Sequence, residues 1–397
     1  MSSRRSFIKK SVLTASIPVF APNTELFSIL KGAPSDQLNI GVIGTGARGQ
    51  GLINIINRIK GIELIAICDT LQFRLNEASS LAPKAKQYSN HQEMLLLKNL
   101  DAVIISTPLN THAAIASDAV DASVHIYCEK TMVKGDQDTL DLIQKVQNSH
   151  NKIFQTGHQY HSSRLYSHVV EMIQAGDIGQ VIAIDAQWNR NGNWRRHVPN
   201  PKFERQINWR MYREYSYGLT AELSSHQIDF CNWLLQDNPV KVAGFGGIDY
   251  WKDGRETYDN TNLIYSYANG IKANFTCLTS NAKDDYQIKV MGDKATVIIN
   301  YDKAWKYPEG KYNKVIGDFD GVSGATQSWT EGKGNLINFN HLEPTRQALE
   351  DFKSSIINNT IPLSNLKSGA AVSFAVDMGI RAMDLKQVVS WNPKYDL

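Results

Sequence analysis

Short apolar runs alternate with segments of helical spacing through the first part of the chain. Leu52, Ile55, Ile56 and Ile59 recur on one face of a helix that follows the first apolar run. The pattern predicts strands at residues 38–43, 62–68, 100–106, 124–128 and 153–156, and helices at 111–122 and 135–149. Because strands that alternate with helices form parallel sheets, this region is predicted to be an α/β domain with a doubly wound parallel sheet.

Longer segments of strand character follow one another beyond Gly157. These predicted strands are residues 181–187, 240–248, 262–268, 271–278, 286–291 and 295–300, with helices at 219–235, 345–358 and 368–389. Asn269 and Gly270 lie between two strands, which predicts a type I′ hairpin turn. We expect a C-terminal α+β domain with a large, mostly antiparallel open sheet, and a long loop or lid at residues 305–339.

The first residues have the composition of an export signal. Arg4 and Arg5 precede an apolar stretch, residues 12–21, that is shorter than the roughly 20 residues a membrane span requires. Paired arginines followed by Phe7 and Ile8 are similar to a twin-arginine signal, which moves folded proteins. We therefore expect a periplasmic or otherwise exported protein, with a cytosolic protein that has a chance basic leader as the alternative.

Composition and charge exclude several classes of protein. The 397 residues include 42 basic and 39 acidic side chains, which leave a net charge of +3. This balance argues against a dedicated nucleic-acid-binding protein, which needs a concentrated basic face. The cysteines are too far apart to predict a disulfide framework or a thiolate zinc site. Each is interpreted as a small buried apolar residue: Cys68, Cys128, Cys231 and Cys277.

A glycine-rich loop directly follows the first predicted strand. Gly44, Gly46 and Gly49 form the G-x-G-x-x-G pattern that leads from a strand into a helix in dinucleotide-binding domains. Asp69 follows the second strand, where a carboxylate binds the hydroxyl groups of the adenosine ribose. Because that carboxylate repels a 2′-phosphate, the pattern predicts a Rossmann domain that binds NAD in preference to NADP.

Residues 188–217 have the most unusual composition in the chain. They hold six arginines and seven aromatic residues, namely Arg190, Arg195, Arg196, Arg205, Arg210, Arg213, Trp188, Trp194, Phe203, Trp209, Tyr212, Tyr215 and Tyr217. Aromatic faces stack on sugar rings, and guanidinium groups bind hydroxyl or carboxylate groups. The segment is interpreted as part of a carbohydrate site, with a subunit interface as the alternative.

With three further motifs, the chain resembles the Gfo/Idh/MocA family, which is named for glucose-fructose oxidoreductase and inositol dehydrogenase. The motifs are Ser106-Thr107-Pro108-Leu109-Asn110-Thr111-His112, Cys128-Glu129-Lys130-Thr131 and Glu222-Leu223-Ser224-Ser225-His226-Gln227-Ile228-Asp229. The resemblance implies a catalytic lysine and cofactor contacts in the second motif, and an acid or base histidine in the third. Two positions depart from the family pattern: Thr131 replaces the usual proline, and Glu222 replaces the usual aspartate.

Hydride transfer accounts for these residue types. Oxidation of a secondary alcohol removes a proton while negative charge develops on oxygen, so a base and a nearby cation both help. His226 can take the proton at neutral pH, and Lys130 at the end of a strand can stabilise the alkoxide. Glu222 precedes His226 by one helical turn, where we expect it to orient the imidazole or to contact the substrate.

The candidate site combines three sets of residues. The predicted catalytic residues are Lys130, Glu222 and His226. The predicted cofactor contacts are Gly44, Thr45, Gly46, Ala47, Arg48, Gly49, Asp69, Thr107, Pro108, Asn110, His112, Glu129 and Lys130. The predicted substrate contacts are His158, Tyr160, Trp188, Arg190, Trp194, Arg195, Tyr215 and His226. No metal site is predicted, because His158, His161 and His168 have no acidic ligand at short spacing.

Together with the resemblance, these residues predict an exported dehydrogenase with tightly bound NAD that oxidises a secondary hydroxyl of a sugar, glycoside or cyclitol. The narrower expectation is a glycoside 3-dehydrogenase. Two alternatives stay open: an NAD-dependent glycosidase that works by transient oxidation and elimination, and a non-catalytic sensor of NAD and sugar. The expected division is an export signal and linker at residues 1–35, an NAD-binding domain at 36–156, and a substrate-binding domain at 157–397. The last of these is expected to form a dimer or tetramer through its sheet.

Overall fold

Two β-sheets organise residues 37–149, 152–310 and 334–396, the part of the chain that the computed structural model describes. The predicted export signal lies outside the described residues. The helices of eight or more residues are α1 (Ala47–Ile56), α2 (Gln72–Leu81), α3 (His112–Asp121), α4 (Asp136–Gln147), α5 (Arg164–Gln174), α6 (Ser225–Leu235), α7 (Pro344–Asn358) and α8 (Leu366–Leu385). Shorter helical turns cover His91–Leu95, Gln159–Ser162 and Glu204–Ile207.

The first sheet consists of six parallel strands in the order β3-β2-β1-β4-β5-β6. Its strands are β1 (Leu38–Ile43), β2 (Ile62–Cys68), β3 (Lys86–Tyr88), β4 (Ala102–Ile105), β5 (His125–Cys128) and β6 (Phe154–Thr156). This is the strand order of dinucleotide-binding domains, so the predicted doubly wound sheet is confirmed. The short edge strand β3 was not predicted.

Buried side chains on both faces of this sheet explain why its strands are nearly all apolar. Val42 and Ile104 belong to a core that includes Leu52 and Ile56 of α1. Phe352 of α7 joins the same core, and its ring lies 5.7 Å from that of Tyr127 in β5. A helix near the end of the chain therefore covers the first sheet, although it lies in the region predicted to form the second domain.

The second sheet has nine strands in the order β14-β13-β12-β11-β7-β10-β9-β8-β15. They are β7 (Val181–Asn189), β8 (Pro239–Gly247), β9 (Asn260–Tyr267), β10 (Lys272–Leu278), β11 (Tyr286–Gly292), β12 (Ala295–Asn300), β13 (Lys303–Pro308), β14 (Asn335–Ile337) and β15 (Val389–Ser390). Among these described strands, β7 and β10 are the one parallel pair. The mostly antiparallel sheet is confirmed, and alternate residues such as Ala273, Phe275 and Cys277 face its core.

Three local predictions differ from the structure. The residue 269–270 turn is not type I′, because Gly270 has a φ of +87° while Asn269 is not among the residues with positive φ. Gly270 donates to the carbonyl of Tyr267, which is the pattern of a three-residue loop ending in a left-handed glycine. The expected loop at 305–339 begins and ends with strands β13 and β14, and residues 311–333 lie outside the described part. The helix expected at 219–235 begins with a π-helical turn, Thr220–Ser224.

The four cysteines are free and buried, as predicted. None of the described helices combines the length and the hydrophobicity that a membrane span requires.

Candidate active site

The loop after β1 needs glycine at the first and last glycine positions of its G-x-G-x-x-G pattern, because backbone atoms approach each other closely there. Gly44 has a φ of +91°, and a Cβ there would lie 2.7 Å from the backbone of Ser106. A Cβ on Gly49 would lie 2.0 Å from the carbonyl oxygen of Gly44. The loop leads into α1, whose N-cap residue Gly46 leaves the first backbone N–H groups without a side-chain cap. This cradle fits the diphosphate of a dinucleotide.

Asp69 stands at the end of β2, next to the glycine loop. One carboxylate oxygen accepts hydrogen bonds from the backbone N of Thr45 at 2.8 Å and from its Oγ1 at 3.2 Å. The other accepts from the backbone N of Leu71 at 2.9 Å. The carboxylate is thus fixed at the position where such domains bind the adenosine ribose.

A cavity of about 960 Å³ opens over the carboxyl ends of β1, β2 and β4. It is lined by eight of the predicted cofactor contacts, Gly44, Gly46, Ala47, Arg48, Asp69, Thr107, Pro108 and Asn110. The other five, Thr45, Gly49, His112, Glu129 and Lys130, do not line it. Two of these five hold neighbouring residues in place. Glu129 accepts a hydrogen bond from Nε of Arg48 at 2.7 Å, and the His112 ring nitrogens lie 3.0 Å from the carbonyl oxygens of Thr107 and Thr131.

Lys130 follows β5 and is held in the interior. Its Nζ donates to the carbonyl oxygen of Glu222 at 2.8 Å and lies 3.9 Å from the carboxylate of the same residue. Burial lowers the pKa of Lys130, although the negative charge of Glu222 opposes that shift. The peptide bond from Lys130 to Thr131 is cis, and Thr131 Oγ1 donates to the carbonyl of Ala221. The turn after β5 is therefore bonded to the π-helical turn.

Glu222 does not orient His226 as expected. Its carboxylate accepts from Nε of Arg210 at 2.8 Å and from Oγ of Ser216 at 3.1 Å, and no hydrogen bond among the described residues joins it to His226. Burial raises the pKa of Glu222, but the charges of Arg210 and Lys130 outweigh burial and hold it below its ordinary value. The expectation of one shared helical face assumed α-helical spacing, whereas Glu222 lies in the π-helical turn.

His226 is buried among aromatic rings. Its ring centroid lies 5.2 Å from that of Tyr160, 5.6 Å from that of Trp188 and 5.7 Å from that of His158. Its Nδ1 has no hydrogen-bond partner among the described residues. Burial lowers the pKa of His226 well below its ordinary value, and the positive charge of Lys130 lowers it further. The imidazole is therefore neutral at physiological pH and has a lone pair that can accept a proton.

Asp229 provides a second buried carboxylate near His226. It accepts from Nδ1 of His161 at 3.1 Å and lies 3.9 Å from Nδ1 of His158. The His161 ring stacks on Trp233 at 4.1 Å. Burial lowers the pKa of His158 to about 4, so this ring is also neutral near pH 7. His158 and His226 are therefore two neutral imidazoles that lie edge to face, with their ring centroids 5.7 Å apart.

The structure gathers most, but not all, of the predicted substrate contacts. His158, Tyr160 and Trp188 surround His226. The guanidinium of Arg190 lies between two indoles, 5.4 Å from the ring of Trp188 and 5.6 Å from that of Trp194. Two of the predicted contacts make other interactions in the structure: Arg195 forms ion pairs with Glu204 and Asp253, and Tyr215 lines the cofactor cavity.

Several residues of the site are not among the predicted catalytic, cofactor or substrate contacts: Arg74, Ser216, Arg210, His161 and Asp229. Arg210 lies in the arginine-rich segment and Asp229 in the third motif, so both regions were recognised without the particular side chain. Among the described residues, no group of three His, Cys, Asp or Glu side chains is placed to hold a metal ion.

Two family models match the chain in sequence order. Residues 38–158 match the model described as an oxidoreductase family with an NAD-binding Rossmann fold, and residues 166–298 match the Gfo/Idh/MocA C-terminal domain. Between them the two models span well over half of the chain. The protein belongs to the Gfo/Idh/MocA family. Its first domain is an NAD-binding Rossmann domain, in agreement with the glycine loop and Asp69.

Curated relatives and solved structures agree with this assignment. Inositol 2-dehydrogenase of Salmonella typhimurium (strain LT2) is 26% identical over 209 residues, which is 52% of this chain and 57% of the relative. The chain thus matches little more than half the length of this relative. A levoglucosan dehydrogenase in complex with NADH superposes with a TM-score of 0.72 at 16% identity, covering 89% of this chain and 99% of that one. The myo-inositol 2-dehydrogenase of Lactobacillus plantarum gives 0.70 at 18% identity, covering 90% and 100%. These structures share the fold.

Proposed function

We propose that the protein is an NAD-dependent dehydrogenase that oxidises a secondary hydroxyl group of a sugar, glycoside or cyclitol. The observation that carries this proposal is the buried, neutral imidazole of His226, which lies against Tyr160 and Trp188 and whose pKa is lowered by burial and by the nearby positive charge of Lys130. The relatives named inositol 2-dehydrogenase and levoglucosan dehydrogenase support a polyhydroxylated substrate.

The residues have separate tasks in this reaction. NAD, which the glycine loop and Asp69 would hold, would supply the hydride acceptor. His226 takes the proton of the hydroxyl group, and its lowered pKa ensures that it is unprotonated when the substrate arrives. Lys130 stabilises the negative charge that develops on oxygen by donating from Nζ. Tyr160 and Trp188 contact the C–H face of the ring and keep water away from the reacting hydroxyl.

A narrower substrate is proposed from the side chains next to His226. Arg190, placed between the indoles of Trp188 and Trp194, offers a hydrogen-bonding fork within an aromatic wall. Such a wall suits a second ring attached to the one being oxidised. We therefore propose a glycoside as substrate; oxidation at C3 of the pyranose is the specific reaction that the family resemblance suggests.

The test uses purified protein and a panel of inositols, levoglucosan and alkyl or aryl glycosides. Accumulation of NADH with the substrate supports the dehydrogenase, and a 3-keto product supports the narrower proposal. Absence of NADH with every compound, despite sugar binding, would instead indicate a sensor.

A glycosidase that oxidises, eliminates and reduces in turn is the second candidate. Elimination requires a base for a carbon-bound proton in addition to the base for the hydroxyl. His158 supplies a second neutral imidazole 5.7 Å from His226, centroid to centroid. Release of the aglycone from an aryl glycoside without accumulation of NADH would favour this candidate over the dehydrogenase.

Export and assembly are further parts of the proposal. Export of the folded protein with NAD already bound would explain how the cofactor reaches a compartment without an obvious supply. Replacement of Arg4 and Arg5 by lysine should then retain the protein in the cytosol, and unchanged export would contradict a twin-arginine route.

The outer face of the second sheet exposes Phe245 and Ile264, which favours association through this sheet. Light scattering with and without Phe245→Glu tests the dimer or tetramer.

A further inference from the structure

We infer that Arg74, which lies beside the glycine loop, and Arg196 and Arg210, which lie in residues 193–217, form an anion site that binds the diphosphate of NAD and slows its release. The inference rests on NAD binding by the Rossmann domain and goes beyond it, because two of the three arginines lie outside that domain. It assigns a role in cofactor retention to residues 193–217, here called the bridging segment.

The three arginines share one cavity with the glycine loop. Arg74, Arg196 and Arg210 line it together with Gly44 and Gly46. An Nη1 atom of Arg74 lies only 2.5 Å from the position that a Cβ on Gly46 would take. Gly46 is the glycine that lets the backbone approach a diphosphate, so the Arg74 guanidinium stands beside the place where the phosphates bind.

The positive charge in this cavity is only partly neutralised by the protein. Within the described residues, neither Arg74 nor Arg196 has a carboxylate at ion-pair distance, whereas Arg210 is paired with Glu222 and stacks over Trp209 at 4.1 Å. The pKa of Arg196 is lowered by partial desolvation and then by repulsion from Arg210 and Arg74. The attraction of each guanidinium group to a bound diphosphate would offset this mutual repulsion, and guanidinium groups are suited to bidentate phosphate contacts.

Two contacts with the first domain fix the position of the bridging segment and of its arginines over the cavity. Its Phe203 ring lies 5.9 Å from that of Phe73 in α2, and its Tyr215 carbonyl accepts from the backbone N of Asn110 at 3.1 Å. The segment thus contacts the first domain on two sides of the cavity.

Ion pairs brace the segment between these contacts. The half-buried Arg195 pairs with Glu204 and Asp253, whereas the pairs of Arg205 with Glu214 and Glu256, at 2.9 and 3.1 Å, are exposed to solvent and contribute little to this order. Since the segment is already ordered by its own contacts, binding the phosphates costs little additional ordering. A dinucleotide beneath it would leave only after its phosphate contacts to the segment had broken.

The test measures how fast NAD leaves the protein. Protein loaded with NADH is mixed with excess NAD, and loss of the bound NADH fluorescence gives the dissociation rate for wild type, Arg74→Ala and Arg196→Ala. Each variant should release the nucleotide about tenfold faster or more, because each loses charge-assisted hydrogen bonds to phosphate. Arg205→Ala is the matched control, since its arginine belongs to the same segment but pairs with exposed carboxylates. It should release NADH at the wild-type rate.

Binding of nucleotide fragments identifies the group that the arginines contact. Arg196→Ala should bind ADP-ribose, which has the diphosphate, more weakly than wild type does. The affinity of the same variant for adenosine should stay within about twofold of the wild-type value. Wild-type dissociation rates in Arg74→Ala and Arg196→Ala would overturn the inference, and so would a loss confined to NADP, which would place the arginines at a 2′-phosphate. A wild-type protein that binds no NAD would contradict the proposed function as a whole, whereas tight binding with unchanged rates would contradict this inference alone.

Discussion

Replacement of Gly49 by alanine tests whether the geometry of the glycine loop holds the cofactor. The new Cβ would lie 2.0 Å from the carbonyl oxygen of Gly44 and 3.0 Å from its carbonyl carbon. Both are backbone atoms, so no side-chain rotation relieves the overlap. The start of α1 must therefore move away from the loop by about 1 Å before even a close contact of 3.0 Å is reached.

The size of the effect follows from this displacement. Overpacking of this kind typically costs about 1–3 kcal/mol, and alanine recovers about 1 kcal/mol relative to glycine within a helix. We expect the free energy of unfolding of the nucleotide-free protein to fall by up to about 2 kcal/mol. Because the displaced N–H groups of α1 are those that face the diphosphate, NAD affinity should fall about tenfold or more.

Gly51→Ala is the matched control in the same helix. A Cβ at Gly51 meets no described atom within 4 Å, so this variant keeps the loop unchanged. It should bind NAD as wild type does and gain about 0.5–1 kcal/mol in stability. Urea unfolding without nucleotide and a fluorescence titration with NADH measure the two effects. If Gly49→Ala binds NADH as tightly as Gly51→Ala, the loop does not contact the cofactor as described.

Three further variants test single side chains. Asp69→Ala should bind NAD more weakly and NADP relatively better, because it removes both the ribose acceptor and the repulsion of a 2′-phosphate. An unchanged ratio of the dissociation constants for NAD and NADP would refute the assignment. Glu222→Gln should move the alkaline limb of the pH–rate profile to lower pH, because Glu222 raises the pKa of Lys130; a shift of the acidic limb alone would point to His226 instead. The pKa of His158 is about 4 in the folded protein and about 6.5 when unfolded, so its contribution to stability is lost as pH falls through this range. Between pH 6.5 and pH 4, the free energy of unfolding of His158→Phe should therefore fall by roughly 3 kcal/mol less than that of wild type, as measured in urea titrations.

Local sequence patterns were sufficient for five of the six strands of the first sheet and for the nucleotide loop. Strands covered on both faces are nearly all apolar, which distinguishes them from the alternating strands of the second sheet. Gly44, Gly49 and Asp69 lie within one strand-turn-helix-strand unit, so their spacing along the chain determines their arrangement in space. The role of each can be predicted without knowledge of distant contacts.

The arrangement around His226 depends on contacts between distant segments. Glu222 was expected beside His226 because regular helical spacing was assumed, and the π-helical turn directs its carboxylate to Arg210 and Ser216 instead. Arg210 belongs to the bridging segment, which lacks regular periodicity. Composition identified that segment as unusual, but only the fold shows which of its arginines brace the chain and which face the cavity.

The proposed chemistry is tested most directly by a single turnover of bound NAD. Wild type and His226→Asn, both loaded with NAD, are mixed with the substrate identified by the panel, and NADH formation is followed together with substrate affinity. A positioned base contributes about 10² to 10⁴ in rate, so His226→Asn should form NADH slower by that factor while binding the substrate within a few-fold of wild type. Formation of NADH at the wild-type rate by a correctly folded His226→Asn variant would contradict the assignment of His226 as the base.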